Sequence, residues 1–192
     1  MAASAVVPAA GAAERFGGDK LLASVGGVPL LERTVRALLE GGIDRVVVVL
    51  GPGAERVRSG VPVLADRRVA VVVNRHPQRG MLSSIQAGAR DAQGDPLVVL
   101  PGDMPYVEPA TVAALLRTYG ERGGIVSPRF SGKRGHPVVI PGRYRDEILA
   151  AGPDQTLHDV LRRHADERID IDVYDRGVIR DVDEPTDLEA AP

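Results

Sequence analysis

Residues 5–22 read AVVPAAGAAERFGGDKLL. Ala5-Val6-Val7 is a short apolar run of the kind that forms a strand buried on both faces. The chain then empties into a loop of small residues holding Gly11, Gly17 and Gly18 and two separated cations, Arg15 and Lys20. Small side chains let backbone N–H groups approach a phosphate, and the cations offset its charge. Placed directly after the first strand, that combination points to a nucleoside triphosphate site. Two common phosphate loops are excluded. Gly17-Gly18-Asp19-Lys20-Leu21 lacks the Gly-Lys-Ser/Thr ending that would set a hydroxyl on magnesium, and no GxGxxG follows the strand.

Beyond this stretch, apolar runs alternate with amphipathic ones, the pattern of an α/β fold with a largely parallel sheet. Strands are predicted over 5–7, 45–50, 69–73, 97–100, 124–126, 138–140 and 168–173. The valines of 46–49 and 69–73 run without alternation, as in strands covered on both faces. Helices are predicted over 29–40, 83–90, 109–119, 143–150 and 156–164. In the first, Leu31, Val35, Leu38 and Leu39 share one stripe that ends at Gly41-Gly42, a C-cap signal. Asp154 is the expected N-cap of the last. Gly51-Pro52-Gly53 reads as a turn only. No repeat, low-complexity tract or linker interrupts the pattern, so residues 1–192 are expected to form one domain.

Composition narrows the function. Acids and bases nearly balance at a formal net charge of −2, and no basic stripe marks a nucleic-acid binder. Cysteine is absent, which removes disulfides, thiol catalysis and cysteine-ligated metals and suits the cytoplasm. No secretory signal and no apolar run of roughly 20 residues appears, so a soluble, membrane-free protein is expected.

In open α/β sheets ligands bind beyond the carboxyl ends of the strands, and three further loops there carry chemistry. Leu100-Pro101-Gly102-Asp103-Met104-Pro105 delivers a carboxylate past an apolar strand on a rigid turn. Asp103 suits either Mg²⁺ or the cap of a turn. Residues 79–88, RGMLSSIQAG, open a helix with two hydroxyls, which serve either as caps or as contacts to a ligand. Asp181-Val182-Asp183-Glu184-Pro185-Thr186-Asp187-Leu188 sets Asp183 just before a proline-started helix, where capping is the simple reading. His136, in Arg134-Gly135-His136-Pro137, is a lone loop histidine. His76, His158 and His164 show no metal-ligand spacing.

Taken in chain order, these loops resemble the nucleotidyltransferases related to the molybdenum-cofactor cytidylyl- and guanylyltransferases, the MobA/MocA-like family. Its opening pattern, LAAGxSxRFGxxK, stands here as Pro8-Ala9-Ala10-Gly11, Arg15-Phe16-Gly17 and Lys20. Pro8 replaces the usual leucine, and Ala12-Ala13-Glu14 lacks the common serine. The string GDMP at 102–105 is similar to the family's metal-binding turn, and the 181–188 segment to its closing D-[IV]-D-T-P-E-D-L, with Glu184 where threonine is usual. The 80–88 segment is similar to its G-M-S-S-S-x-x-x-G, and Gly135-His136-Pro137 to its GHP turn.

The resemblance implies a three-layer α/β/α, Rossmann-like nucleotidyltransferase fold and transfer of a nucleotidyl group to a phosphorylated acceptor. Opening-loop residues Ala9, Ala10 and Gly11, with Arg15 and Lys20, would hold the triphosphate. Asn74, Gly80, Ser83 and Ser84 would lie along the nucleoside, and His136 would face the acceptor. Asp103 and Asp183 would hold Mg²⁺, with Arg15, Lys20 and Asp103 as the catalytic set. The Ala9-Ala10-Gly11 form is similar to that of cytidylyl-transferring members, which implies CTP, and molybdopterin as the acceptor. A molybdoenzyme or its chaperone is then the implied protein partner. A methylerythritol phosphate cytidylyltransferase, a guanylyltransferase and a catalytically silent nucleotide-binding domain are the alternatives. The first lacks its A-D-x-x-R-P turn, since this chain reads GDMPYV there.

Overall fold

The valine run at 46–49 lies in the middle of a sheet, whereas the run at 69–73, expected to be buried on both faces, lies at its edge and is only half-buried. The computed structural model describes residues 2–11, 16 and 20–188. The first predicted strand is longer than its apolar core, and β1 spans Ser4–Ala9. Its flanking partners are β4 (Arg45–Leu50) and β6 (Leu97–Val99). Between β1 and β4 in sequence lies a hairpin of two-residue strands, β2 (Ser24–Val25) with β3 (Val28–Pro29), and between β4 and β6 the edge strand β5 (Val69–Val73). The remaining strands are β7 (Ile125–Phe130), β8 (Lys133–Arg134), β9 (Val138–Ile140) and β10 (Arg168–Asp172).

Among the described residues the main sheet has eight strands, in the order β10-β7-β9-β6-β1-β4-β5 with β8 paired to β7. The pairs β1–β4, β1–β6, β4–β5 and β7–β10 are parallel. The reversed strand β9 is antiparallel to β6 and β7. The predicted, largely parallel sheet is the observed one.

Helices cover both faces. On one lie α1 (Leu30–Glu40), α2 (Ala54–Gly60) and α4 (Pro109–Arg122), packed on Ala5, Val7, Val46, Val48 and Leu50. On the other lie α3 (Met81–Asp91), α5 (Arg145–Ala150) and α6 (Leu157–Arg162), packed on Val6, Val47 and Val49. Alternate residues of one strand thus enter two separate cores, so the run Val46–Leu50 of β4 is apolar throughout. The α1 stripe of Leu31, Val35, Leu38 and Leu39 is buried as its spacing requires. No helix among the described residues is long and apolar enough to cross a membrane.

Two local expectations change. The last helix is capped by Thr156, not Asp154: the Thr156 hydroxyl accepts the Asp159 N–H, and the Asp159 carboxylate accepts the Thr156 N–H in return. The reciprocal pair satisfies two N-terminal donors at once, which a lone Asp154 further upstream would not. The segment after β4 does more than turn. Gly51-Pro52-Gly53 leads into α2, a helix with only Ala54 buried and therefore no apolar stripe to reveal it.

Candidate active site

The chain order reverses across β1: β4 and β5 follow it to one side, whereas β6 lies on the other. Such a switch leaves the loops at the carboxyl ends free to part into a crevice. A cleft of about 610 Å³ opens here, walled by Ala9, Ala10 and Gly11 past β1 and by Gly51, Pro52 and Gly53 past β4. That volume lies within the usual range for small-molecule sites.

Pro8 is tolerated in this central strand because of where β6 ends. The β1–β6 pairs stop at Val6. The Pro8 carbonyl faces the following turn and accepts the Gly102 N–H at 3.0 Å. On an extended strand the same residue's nitrogen faces the same side, beyond the last ladder pair, so its missing N–H breaks no β1–β6 bond. Gly102 is required at this contact: a Cβ there would lie 2.7 Å from the Ala9 Cβ. The turn is thereby pressed against β1, and Asp103 is delivered to the cleft edge.

Asp183 arrives from the far end of the chain. Asp175, a buried carboxylate, accepts the Glu108 and Gly177 N–H groups and the Thr111 hydroxyl, which ties the C-terminal segment to the start of α4. Further on, the Val182 N–H donates to the Asp103 carbonyl at 2.9 Å. Val182 itself is buried with Val25 and Leu30, beside Phe16 of the opening loop, Tyr106 and Leu188. Capping of the last turn falls to Asp187, whose carboxylate accepts the N–H groups of Asp183 and Glu184, each at 2.8 Å. The Asp183 carboxylate is left to face the cleft.

Both predicted carboxylates meet Lys20. Its Nζ lies 2.9 Å from Asp103 Oδ2 and 3.1 Å from Asp183 Oδ1, with the lysine side chain 12% exposed. Burial works to lower the lysine pKa, but the hydrogen bonds and charges of Asp103 and Asp183 outweigh it and raise the pKa above the ordinary value. Lys20 is therefore an ammonium across the working pH range. Residues 80 positions apart thus converge on one point. Two hard oxygen donors within reach of a single cation fit a divalent ion such as Mg²⁺. Among the described residues no cluster of three or more potential metal-ligating side chains is found.

The helix α3 supplies the opposite wall. Gly80, at φ +85, turns the chain into it with the left-handed conformation that favours glycine, and Gly80, Met81 and Ser84 line the cleft. Asn74 and Ser83 stand behind that wall. Asn74 Nδ2 donates to the Ser83 and Ser84 hydroxyls at 2.9 and 3.0 Å, while its Oδ1 accepts the His76 N–H at 2.9 Å. Ser83 passes its own proton to the Gly80 carbonyl at 2.7 Å. Ser84 accepts from Asn74 and donates to no partner among the described hydrogen bonds, so its proton is free for the cleft. Met81, 55% exposed, adds an apolar surface at the same mouth.

His136 donates its backbone N–H to the Val178 carbonyl at 2.8 Å. Burial lowers its pKa, against the opposing charges of Asp103 and Asp181, so the imidazole is neutral near pH 7. It is not part of the cleft lining. Arg15 lies outside the described residues. The cleft wall at Gly51-Pro52-Gly53 and Ala54 was missed by sequence reasoning. Its one available signal was position, since it follows β4 as directly as the opening loop follows β1.

Fold and cleft together define a doubly wound α/β protein with its ligand crevice beside the first strand. The chain belongs to the MobA-like NTP transferase domain family, whose model matches residues 5–168. It is 32% identical over 181 residues to the bifunctional protein GlmU of Cereibacter sphaeroides, an alignment covering 92% of this chain and 37% of that protein. The chain spans about a third of the length of the curated relatives it matches. Among solved structures, Rv0371c from Mycobacterium tuberculosis H37Rv superposes with a TM-score of 0.82 at 24% identity, covering both chains completely. A second structure of that protein is a complex with manganese, with a TM-score of 0.74 at 22% identity and complete coverage of both chains. Mth528, described as a nucleotidyl transferase from Methanothermobacter thermautotroptrophicus, superposes at 0.81 with 24% identity over 98% of this chain and 94% of its own. At these identities the structural likeness speaks for the fold.

Proposed function

We propose that residues 1–192 act as one nucleotidyltransferase domain, a cytoplasmic molybdenum-cofactor cytidylyltransferase that moves CMP from CTP to molybdopterin with Mg²⁺. The observation that carries this reading is the meeting of Asp103 and Asp183 at Lys20 Nζ, on the edge of a cleft walled by small residues. The family membership supports the class of reaction, and the short Ala9-Ala10-Gly11 form supports CTP. The manganese complex of the mycobacterial relative supports a divalent ion.

An oxygen of the acceptor phosphate bonds to the α-phosphorus, the bond from that phosphorus to the α–β bridging oxygen breaks, and pyrophosphate leaves with the electron pair. The attacking phosphate is already ionised at pH 7, so the site needs no general base. Catalysis of such a transfer is mostly positioning and charge stabilisation. Lys20 and Arg15 offset the charge of the triphosphate and of departing pyrophosphate. The small backbone of residues 9–11 admits the phosphates closely. Ser84 offers a proton to an acceptor atom of the nucleoside, held in that orientation by Asn74 and Ser83, while Gly80 sets the backbone of that wall. His136, neutral, stands on the acceptor side as a hydrogen-bonding contact. Asp103 and Asp183 would hold Mg²⁺, which when bound draws charge from the phosphate oxygens. A molybdoenzyme or its chaperone would receive the product.

The test is pyrophosphate release by the purified protein with each of the four NTPs, Mg²⁺ and molybdopterin. CTP with molybdopterin should be turned over well ahead of the other three. Preference for GTP, or turnover only with 2-C-methylerythritol 4-phosphate in place of molybdopterin, would reassign the enzyme within the family. Nucleotide binding without turnover of any combination would leave a silent domain.

A further inference from the structure

We propose that Lys20 is a built-in counterion that closes the Asp103–Asp183 pair to a divalent cation until a nucleotide arrives. The inference rests on reading those two carboxylates as the metal ligands. Lys20 Nζ lies 2.9 and 3.1 Å from one oxygen of each, with a side chain more deeply buried than either partner's, 12% exposed against 27% and 53%. A divalent cation takes carboxylate oxygens at roughly 2.0–2.6 Å. An ion at that distance from both oxygens would claim the place the ammonium occupies. The two cations are mutually exclusive there.

What decides the competition is where a displaced Lys20 can go. Among the described residues lining the cleft, the charged ones are Lys20, Asp103 and Asp183. Once a metal ion takes both carboxylates, the ammonium keeps, among the described residues, the weaker pull of Asp187, whose carboxylate is already engaged by the Asp183 and Glu184 N–H groups, and it stands beside a dication. A triphosphate changes this by bringing its own oxygens into the cleft. Lys20 then exchanges two carboxylates for phosphate oxygens without losing its counter-charge, and the carboxylates are released to the metal. Metal and nucleotide therefore bind with positive coupling, and the coupling is reciprocal.

The measurement is Mn²⁺ binding followed by the loss of its free-ion EPR signal, with and without a non-hydrolysable CTP analogue, each analogue titration corrected by one without protein because the analogue itself binds Mn²⁺. Lys20→Met removes the charge and keeps the volume, so it should tighten Mn²⁺ binding without nucleotide by about tenfold, a usual size for such couplings. Lys20→Arg keeps the charge and should retain the weak wild-type binding. In the wild type the analogue should tighten Mn²⁺ binding, and in Lys20→Met that dependence should shrink. Thermal melts establish that each variant is folded, and Lys20→Gln carries the same comparison should the methionine variant fail. If Mn²⁺ binding is lost on Asp103→Asn or Asp183→Asn yet is no tighter in the neutral Lys20 variants, the counterion role is overturned while the metal ligands stand. Mn²⁺ binding indifferent to both aspartate variants, or absent throughout, overturns the metal reading and this inference together.

Discussion

Asp103 serves the molecule with its backbone and the site with its side chain. Its carbonyl accepts the Val182 N–H and so holds the C-terminal segment, while its carboxylate reaches Lys20. Asp103→Asn keeps the first contact and removes the charge of the second. Pyrophosphate release should fall by about 10²–10³-fold, the usual cost of losing a preorganised electrostatic contact, with a melting temperature close to the wild type. A variant of unchanged rate would remove Asp103 from the catalytic set. His136 makes a different prediction because burial holds its pKa below the ordinary value. The folded state disfavours the protonated imidazole, so the stability this group contributes is complete above about pH 6.5 and declines as pH falls through its lowered folded pKa. Melts at pH 7.5 and 5.0 should show a smaller acid-induced drop for His136→Gln than for the wild type. An equal drop would show that His136 titrates normally. Asp183 shows where residue-level reading stops. Its place before Pro185 suited an N-cap that would accept the Thr186 N–H, but in the 3-10 turn Pro185–Leu188 it is Asp187 that reaches back, to the N–H groups of Asp183 and Glu184, while the Asp183 carboxylate bonds Lys20. Which of two nearby aspartates caps a turn depends on how tightly that turn winds, and the residue order alone does not state it.

The elements that were legible are those whose burial fixes their composition. The runs at 45–50 and 138–140 are β4 and β9 at the predicted boundaries, because nearly all of their residues are buried in a sheet covered on both faces, and the run at 69–73 is β5 at its predicted boundaries although it is a half-buried edge strand. The two-residue strands β2 and β3 and the barely buried α2 carry too few apolar positions to leave a period. The cap of α6 was legible but misassigned: Thr156 and Asp159 stand three apart, the spacing of a reciprocal cap, whereas Asp154 has no such partner. Thr156→Ala should accordingly cost about 1 kcal/mol in urea denaturation, and Asp154→Ala close to nothing. The α3 wall is set by Gly88, where a Cβ would lie 2.6 Å from Val6 Cγ1 and 2.8 Å from Val49 Cγ2. Alanine is the better helix former by about 1 kcal/mol, yet here it must push α3 off the sheet. Gly88→Ala should therefore destabilise by about 1–3 kcal/mol, and urea denaturation decides the sign. Stabilisation would mean that α3 packs less closely than the structure requires.

At the scale of the molecule, the site is closed by the C-terminal segment beyond the last strand, which returns across the fold. The sequence placed Asp103 past a strand and Asp183 before a proline-started helix, but the meeting of residues 83 and 163 positions away from Lys20 depends on how the last segment returns across the fold. That return is fixed by close backbone contacts. A Cβ at Gly177 would lie 2.0 Å from the Tyr106 carbonyl, and one at Gly135 2.0 Å from the Val178 carbonyl. Gly177 belongs to no period or motif, and the motif that holds Gly135 does not state which backbone it packs against. Asp175 is the anchor of the segment, accepting from Glu108, Thr111 and Gly177 about eight residues before Asp183. Asp175→Ala would leave those donors in a buried place without an acceptor, at a cost of about 2–3 kcal/mol. The sheet and its helices lie upstream of the break and should persist, while Asp183 loses the tether that aims it. Equilibrium denaturation should thus show a modest loss, and hydrogen exchange should rise chiefly over residues 175–188. Metal-dependent turnover should fall further than the lost stability explains at temperatures where the variant is fully folded. Uniform exchange across the chain, with turnover tracking the folded fraction alone, would make Asp175 an ordinary core contact and leave the aim of Asp183 to Val182 and Asp187.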